Sequence, residues 1–457
     1  MAAEGARFFA PLAWTGGQWA RDVLLEAGAD GCWSSVTPDA PPSSRGAAQV
    51  LGGPVLPGLV NAHSHAFQRA IAGLTESSAQ GEDDFWRWRD RMYSAANRIT
   101  PQQLEAIAAY LYAELLEAGY TEVCEFHYLH NDTDGRPYAQ PSEMALALAR
   151  AAQRAGIGLT LLPTLYMRSG FGAAGLRPDQ LRFASTPQSV LGIVDSVTAL
   201  RDACVHAGVA LHSLRAVDAG ALHDVAVAAR GRMPVHIHIA EQQQEVQDCI
   251  AHHGVRPIEW LLRYAAPDER WNLVHATQAT AAELAGVQAA GASIVVCPST
   301  EANLGDGVFD LPTWLARKGS WSIGSDSHVT RSWQEELRLL EYSQRLVLRQ
   351  RNIAARSGRR ESSAAVLFEG ALGGGSAAAG RPLGGLQAGQ CADFMVVDRD
   401  AQALLGVPDA QLLDALVFST PHAPVRQVHV AGRPVPALAD RPELAREMRA
   451  AMQALWR

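Results

Sequence analysis

Between Pro57 and residue 375, short apolar runs alternate with longer stretches whose apolar positions recur at helical spacing. The runs that read as strands are Val55 to His63, Thr121 to Tyr128, Gly158 to Leu165, Ala210 to Ala216, Val235 to Ala240, Asn272 to Ala276, Ser293 to Cys297 and Ser322 to Gly324. Between them lie Ala-, Leu-, Glu- and Arg-rich segments such as Gln102 to Ala118, Ser142 to Ala155 and Glu335 to Arg351, which read as helices. Eight buried strands separated by helices predict an α/β fold, a (β/α)8 TIM-type barrel over residues 57–375. The flanks read differently. Residues 1–56 hold short apolar pieces (Ala6 to Phe9, Asp22 to Glu26, Ala48 to Leu51) divided by Gly, Pro and Ser, and residues 376–440 return to strands at Ala392 to Asp398 and Val425 to Gly432. Chain ends commonly lie close together, so both flanks are expected to join as one small β-sandwich domain. Residues 441–457 read as a C-terminal surface helix.

Composition narrows the classes. Of 457 residues, 48% are hydrophobic and 19% charged, ordinary values for a globular chain with a large core. The net charge is -8 and neither end carries a basic cluster, which argues against nucleic acid as a partner. No apolar run approaches the roughly 20 residues of a membrane span, and Met1-Ala-Ala-Glu-Gly-Ala-Arg lacks the architecture of a secretory leader. The six cysteines are scattered, with no Cys-x-x-Cys pair, which argues against a disulfide framework or a thiolate zinc site. A cytoplasmic enzyme is the expectation. Lysine is nearly absent: Lys318 is the only one among 39 basic residues.

In a barrel of this kind the chemistry sits at the C-terminal ends of the strands. The first strand ends in Pro57-Gly58-Leu59-Val60-Asn61-Ala62-His63-Ser64-His65. Histidines at i and i+2 of an extended segment share a face, so His63 and His65 can reach one metal ion. The fifth ends in His236-Ile237-His238-Ile239-Ala240-Glu241, where period two puts both histidines on one face and the spacing to Glu241 favours His238. The sixth ends at His275 and the eighth in Ser325-Asp326-Ser327-His328. Any one of these alone reads as a hydrogen-bonding strand cap; four together at matching ends predict a metal site.

These motifs resemble the amidohydrolase superfamily over nearly the whole chain. The resemblance implies His63, His65, His238 and Asp326 as metal ligands, Glu241 as proton shuttle and His275 as the group that orients the attacking water; Glu241, His275 and Asp326 would be the catalytic set. Binuclear members bridge two metals with a carboxylated lysine on strand four, which here reads Leu211-His212-Ser213-Leu214-Arg215 without one. One metal per chain is therefore expected, zinc by preference, although Fe(II) also suits three imidazoles and a carboxylate.

Three further segments carry groups suited to carboxylates: His65-Ala66-Phe67-Gln68-Arg69, the Trp- and Arg-dense Phe85 to Arg91, and His212 to Arg215 with Tyr128. Arg87 and Arg91, spaced i and i+4, also fit the solvated face of a helix. Together with Cys297-Pro298-Ser299-Thr300-Glu301-Ala302-Asn303-Leu304-Gly305-Asp306-Gly307, these segments resemble the formimidoylglutamate deiminase branch. That resemblance implies hydrolysis of N-formimino-L-glutamate to N-formyl-L-glutamate and ammonia in histidine degradation. It implies Gln68 and Arg89 at one substrate carboxylate, and Tyr128, His212 and Arg215 at the other. It also implies a small-molecule dicarboxylate as partner and a homodimer. The competing readings are a deaminase of a cyclic substrate of guanine, cytosine or triazine type, and a non-catalytic barrel scaffold.

Overall fold

A computed structural model describes residues 5–76 and 85–457, with side chains for all of these except residues 85–87. Met1 to Glu4, part of the segment read for a leader, and the side chain of Arg87 lie outside the described residues. Among the described residues the main sheet has nine strands, eight of which form the barrel: β1 (Leu59–Ser64), β2 (Tyr120–His127), β3 (Gly158–Leu165), β4 (Val209–Leu211), β5 (Val235–Ile239), β6 (Trp271–His275), β7 (Ser293–Val296) and β8 (Trp321–Ile323), with the short strand Val205–Ala207 pairing beside β3. The eight pair in that order, and a bridge between Ser64 and Asp326 joins the two edge strands into a barrel. Every residue of the eight barrel strands is buried, as expected where helices cover one face and packed side chains fill the other.

Local chemistry explains the element ends. Helix Pro101–Ala118 starts at Thr100, whose side chain accepts from the Gln103 amide while the Gln103 side chain accepts from the Thr100 amide, and it stops at Gly119 with φ 100°. Helices Glu143–Ala155 and Trp333–Leu348 stand where the apolar spacing places them. The last barrel helix, Ser363–Ala379, lies so close to the strands that a Cβ on Gly374 would meet the Trp321 carbonyl oxygen at 1.8 Å.

One strand reads differently from the expectation. The run Val55 to His63 is two strands, broken at Gly58, where a Cβ would strike the Thr121 side chain at 2.3 Å. Val55–Pro57 leaves the barrel and pairs with Arg7–Thr15 on one side and Phe394–Val397 on the other. It is thus the seam that joins both chain ends into a second sheet, ordered Arg433–Pro434, Val425–Val430, Phe394–Val397, Val55–Pro57, Arg7–Thr15, Gln18–Ala27, Trp33–Thr37. The fourth strand is also shorter than read, because His212 onward turns out of the sheet. The C-terminal segment forms helix Pro442–Leu455. Among the described residues no helix is long and apolar enough to cross a membrane.

Candidate metal centre and active site

The closure of the barrel builds the site. The Asp326 amide donates to the His63 carbonyl (2.9 Å) and the His65 amide to the Asp326 carbonyl (3.2 Å), so the ends of β1 and β8 are locked side by side. Gly324 allows the approach: a Cβ there would lie 2.5 Å from the His63 Cβ and 2.8 Å from its carbonyl oxygen. Beneath, the Asn61 side chain donates to Ser325 Oγ at 2.7 Å and accepts from the Ser325 amide at 2.9 Å. Several residues at these strand ends, Ala240, His275, Ala276 and Asp326, take left-handed backbone with φ of 51°, 71°, 53° and 48°. Such conformations are costly for residues with side chains and gather at functional sites.

The histidines converge through the orientation of their rings. His65 Nδ1 lies 2.9 Å from the Phe126 carbonyl and His238 Nδ1 lies 3.1 Å from the His212 carbonyl. A carbonyl only accepts, so each Nδ1 carries the proton and each Nε2 turns its lone pair inward. His63 Nε2 stands 3.2 Å from His65 Nε2 and 2.9 Å from His238 Nε2. Asp326 Oδ1 lies 3.5 Å from His63 Nε2 and 3.4 Å from His65 Nε2. Burial keeps all three rings neutral: His63 is lowered to about 3, and His65 and His238 are lowered as well. Neutral lone pairs and a carboxylate facing one another at such distances repel unless a cation lies among them. Bonds of about 2.0–2.1 Å to zinc give tetrahedral edges near 3.4 Å, and the four separations from His63 and Asp326, 2.9–3.5 Å, bracket that value. His63, His65 and Asp326 form one group of converging ligand atoms and His63, His238 and His275 another, so His63 is shared by both candidate sets.

Beside this cluster stand the proton-handling groups. His275 Nε2 is 3.7 Å from both Glu241 Oε1 and Asp326 Oδ2, while its Nδ1 is 3.3 Å from Glu301 Oε1. Burial lowers His275, but Glu241, the Glu301 hydrogen bond and Asp326 together raise it to about 10. Burial pushes Glu241 up to about 7, against the pull of His275 and Arg215. Glu245 accepts from the amides of Ala240 (3.3 Å) and Glu241 (3.0 Å) and so fixes the turn that presents Glu241.

All five residues expected at the substrate line one pocket over the cluster: Gln68, Arg89, Tyr128, His212 and Arg215, alongside His65, His238, Glu241, His275 and Asp326. Gln68 Nε2 donates to the Tyr128 hydroxyl at 3.2 Å, which links the residues expected at one substrate carboxylate to those expected at the other. The rings of Tyr128 and His212 stand edge to face with centroids 5.5 Å apart. Arg89, on helix Phe85–Ala96, lies over the Tyr93 ring and is lowered by burial and, among other neighbours, by the charge of Arg215. Burial lowers Arg215 too, but Glu245 and Glu241 raise it above its ordinary value. Two guanidinium groups thus sense each other at the pocket wall. Arg91 does not line the pocket; it donates to the Thr75 carbonyl at 2.7 Å.

Sequence reasoning missed the groups that hold the site from behind. Glu125 accepts from Ser64 Oγ (2.6 Å), the Ala66 amide (2.6 Å) and the Tyr112 hydroxyl (3.2 Å), which fixes the His63–His65 segment. Its one signal is a carboxylate inside an otherwise apolar strand. Glu301, Glu245, Tyr93 and Trp88 were also missed. Lys318, the sole lysine, is exposed in the turn before β8 and is not part of the pocket.

Comparison with known proteins identifies the family. The Amidohydrolase family profile matches residues 55–435. The chain is 48% identical over 416 residues to a formimidoylglutamate deiminase of Pseudomonas aeruginosa, covering 91% of each chain. An amidohydrolase crystal structure from Brucella melitensis superposes with a TM-score of 0.91 at 41% identity, covering 99% of this chain and 100% of that one. An adenosine deaminase from Xanthomonas campestris, crystallised with bound zinc, shares the fold at 22% identity and a TM-score of 0.79, covering 98% of each chain.

Proposed function

The chain belongs to the amidohydrolase family, and from that premise we propose that it hydrolyses N-formimino-L-glutamate to N-formyl-L-glutamate and ammonia as a one-zinc enzyme. The observation that carries this reading is the pocket: a convergent His–His–His–Asp donor set faces a wall that carries both Arg89 and Arg215. A neutral ring needs no cationic pair, whereas a dicarboxylate does. Identity of 48% to the Pseudomonas aeruginosa deiminase supports the same substrate.

His63, His65, His238 and Asp326 would hold the metal. When bound, the cation supplies Lewis acidity that brings the pKa of water toward neutrality. The absence of a lysine near strand four supports one ion rather than a bridged pair. The reaction adds water across the formimino C=N bond and then breaks the C–NH2 bond, so R–NH–CH=NH and H2O become R–NH–CHO and NH3. Glu241 takes a proton from the attacking water and delivers it to the departing nitrogen. A buried carboxyl raised to about 7 suits both halves of that exchange. His275, steadied by Glu301, donates toward the oxygen as charge gathers on it. Arg89 with Gln68, and Arg215 with Tyr128 and His212, clamp the two carboxylates and so place the formimino carbon.

An ammonia-release assay on formiminoglutamate, guanine, cytosine and adenosine tests the reading. Turnover of formiminoglutamate alone is expected. Release from guanine, cytosine or adenosine with none from formiminoglutamate would replace it with a cyclic-substrate deaminase, and silence on all four would favour a non-catalytic scaffold.

A further inference from the structure

The scattered cysteines are not all scattered in space. Cys32 and Cys391, from opposite ends of the chain, face each other across an isolated antiparallel bridge in the second sheet. The bridging hydrogen bonds come from their neighbours: the Trp33 amide donates to the Gln390 carbonyl at 2.7 Å and the Ala392 amide to the Gly31 carbonyl at 2.8 Å. This is the non-hydrogen-bonded kind of antiparallel pair, in which opposed Cα atoms stand about 4.5 Å apart and both side chains leave the same face. Cα separations of about 4.4–6.8 Å are those a disulfide spans. The segment is also held in place. The Gly28 amide donates to the Cys32 carbonyl at 2.8 Å, the Cys32 amide donates to Asp30 Oδ1 at 3.1 Å, and Gly31, at φ 77°, lies where a Cβ would meet the Ala431 Cβ at 2.8 Å.

We propose that Cys32 and Cys391 form a thiol–disulfide exchange site that takes a low-molecular-weight disulfide as oxidant and closes into an intramolecular disulfide stapling the two chain ends. The two sulfurs have different roles. Cys32 is partly exposed, whereas Cys391 is buried with its Sγ 3.6 Å from Arg381 Nη2. Cys32 thiolate attacks the small disulfide RSSR, forming a mixed disulfide and releasing RS⁻. Cys391 sulfur then attacks the Cys32 sulfur, the second RS⁻ leaves, and the Cys391 proton passes to it. In sum, two protein thiols and RSSR give one protein disulfide and two RSH. Burial pushes the Cys391 thiol up to about 12, with Arg381 opposing, so the second step is the slow one. Because Cys32 is reachable from solvent, small thiols can run the same exchange backwards, which makes the bond a reversible modification rather than a permanent staple. Neither cysteine lines the substrate pocket, so turnover is expected to persist in the oxidised form.

The test exposes the reduced, metal-loaded enzyme to oxidised glutathione, blocks remaining thiols with iodoacetamide in denaturant and maps peptides by mass spectrometry. The expected result is a Cys32–Cys391 linked peptide, a fall from six free thiols to four, and full return with dithiothreitol. Cys391→Ser should instead accumulate glutathione on Cys32. Six free thiols after treatment, a glutathione adduct that persists on Cys32 of the unaltered chain, or a linkage between other cysteines would overturn the proposal.

Discussion

Replacing Arg215 with methionine tests the assignment of the pocket wall at one atom group. Arg215 follows the end of β4, is half-buried, and lines the pocket with Tyr128 and His212. A forked guanidinium–carboxylate contact makes two charge-assisted hydrogen bonds worth about 1.5–3 kcal/mol each, and partial exposure argues for the lower figure. The loss is then about 3 kcal/mol, or roughly 100-fold in kcat/KM at 1.4 kcal/mol per decade. It should fall chiefly on KM, because the carboxylate is held in ground and transition state alike. The sharper measurement compares the two monoamides of formiminoglutamate, each lacking one negative charge. If Arg215 holds one carboxylate, Arg215→Met costs roughly 100-fold on the monoamide that keeps it and roughly 10-fold on the other, where a single guanidinium–amide hydrogen bond of about 1.5 kcal/mol is lost. Arg89→Met should show the opposite preference. Unchanged thermal unfolding and metal content verify the fold of each variant. Equal losses on both monoamides would refute the division of the pocket into two carboxylate clamps.

Two other substitutions probe the centre. Glu241→Gln removes the proton carrier but none of the four proposed donors, so metal content should stay unchanged while kcat falls by about 10²–10⁴; loss of metal on dialysis would show that Glu241 is a ligand. Gly324→Ala forces a methyl into contact with the His63 backbone and Cβ, which should lower stability by about 1–3 kcal/mol in urea unfolding and weaken metal retention; unchanged values would mean that β1 and β8 tolerate separation.

The barrel was legible because its strands are continuous apolar runs, the pattern of a sheet buried on both faces, and because helices such as Pro101–Ala118 carry their own caps. The break at Gly58 was hidden, since Val55–Pro57 and Leu59–Ser64 are apolar alike and only pairing partners distant in sequence divide them. The expected metal and proton-handling residues meet in space because they stand at strand ends, a position set by topology, whereas Arg89 reaches the pocket from helix Phe85–Ala96. The supports were not legible for a physical reason: Glu125, Glu245 and Glu301 act through backbone amides and buried hydroxyls, and carry no periodic mark of that duty. The ring orientations of His65 and His238 likewise depend on carbonyls of neighbouring strands. The facing of Cys32 and Cys391 was equally invisible, because the expected joining of the two flanks does not fix the register that sets these two residues opposite each other.

The most direct test of a single-metal hydrolase is a titration of metal-free chain with zinc, following ammonia release from formiminoglutamate. Activity should rise linearly to one equivalent per chain and stay level beyond it. A plateau at two equivalents would contradict the one-ion site formed by His63, His65, His238 and Asp326.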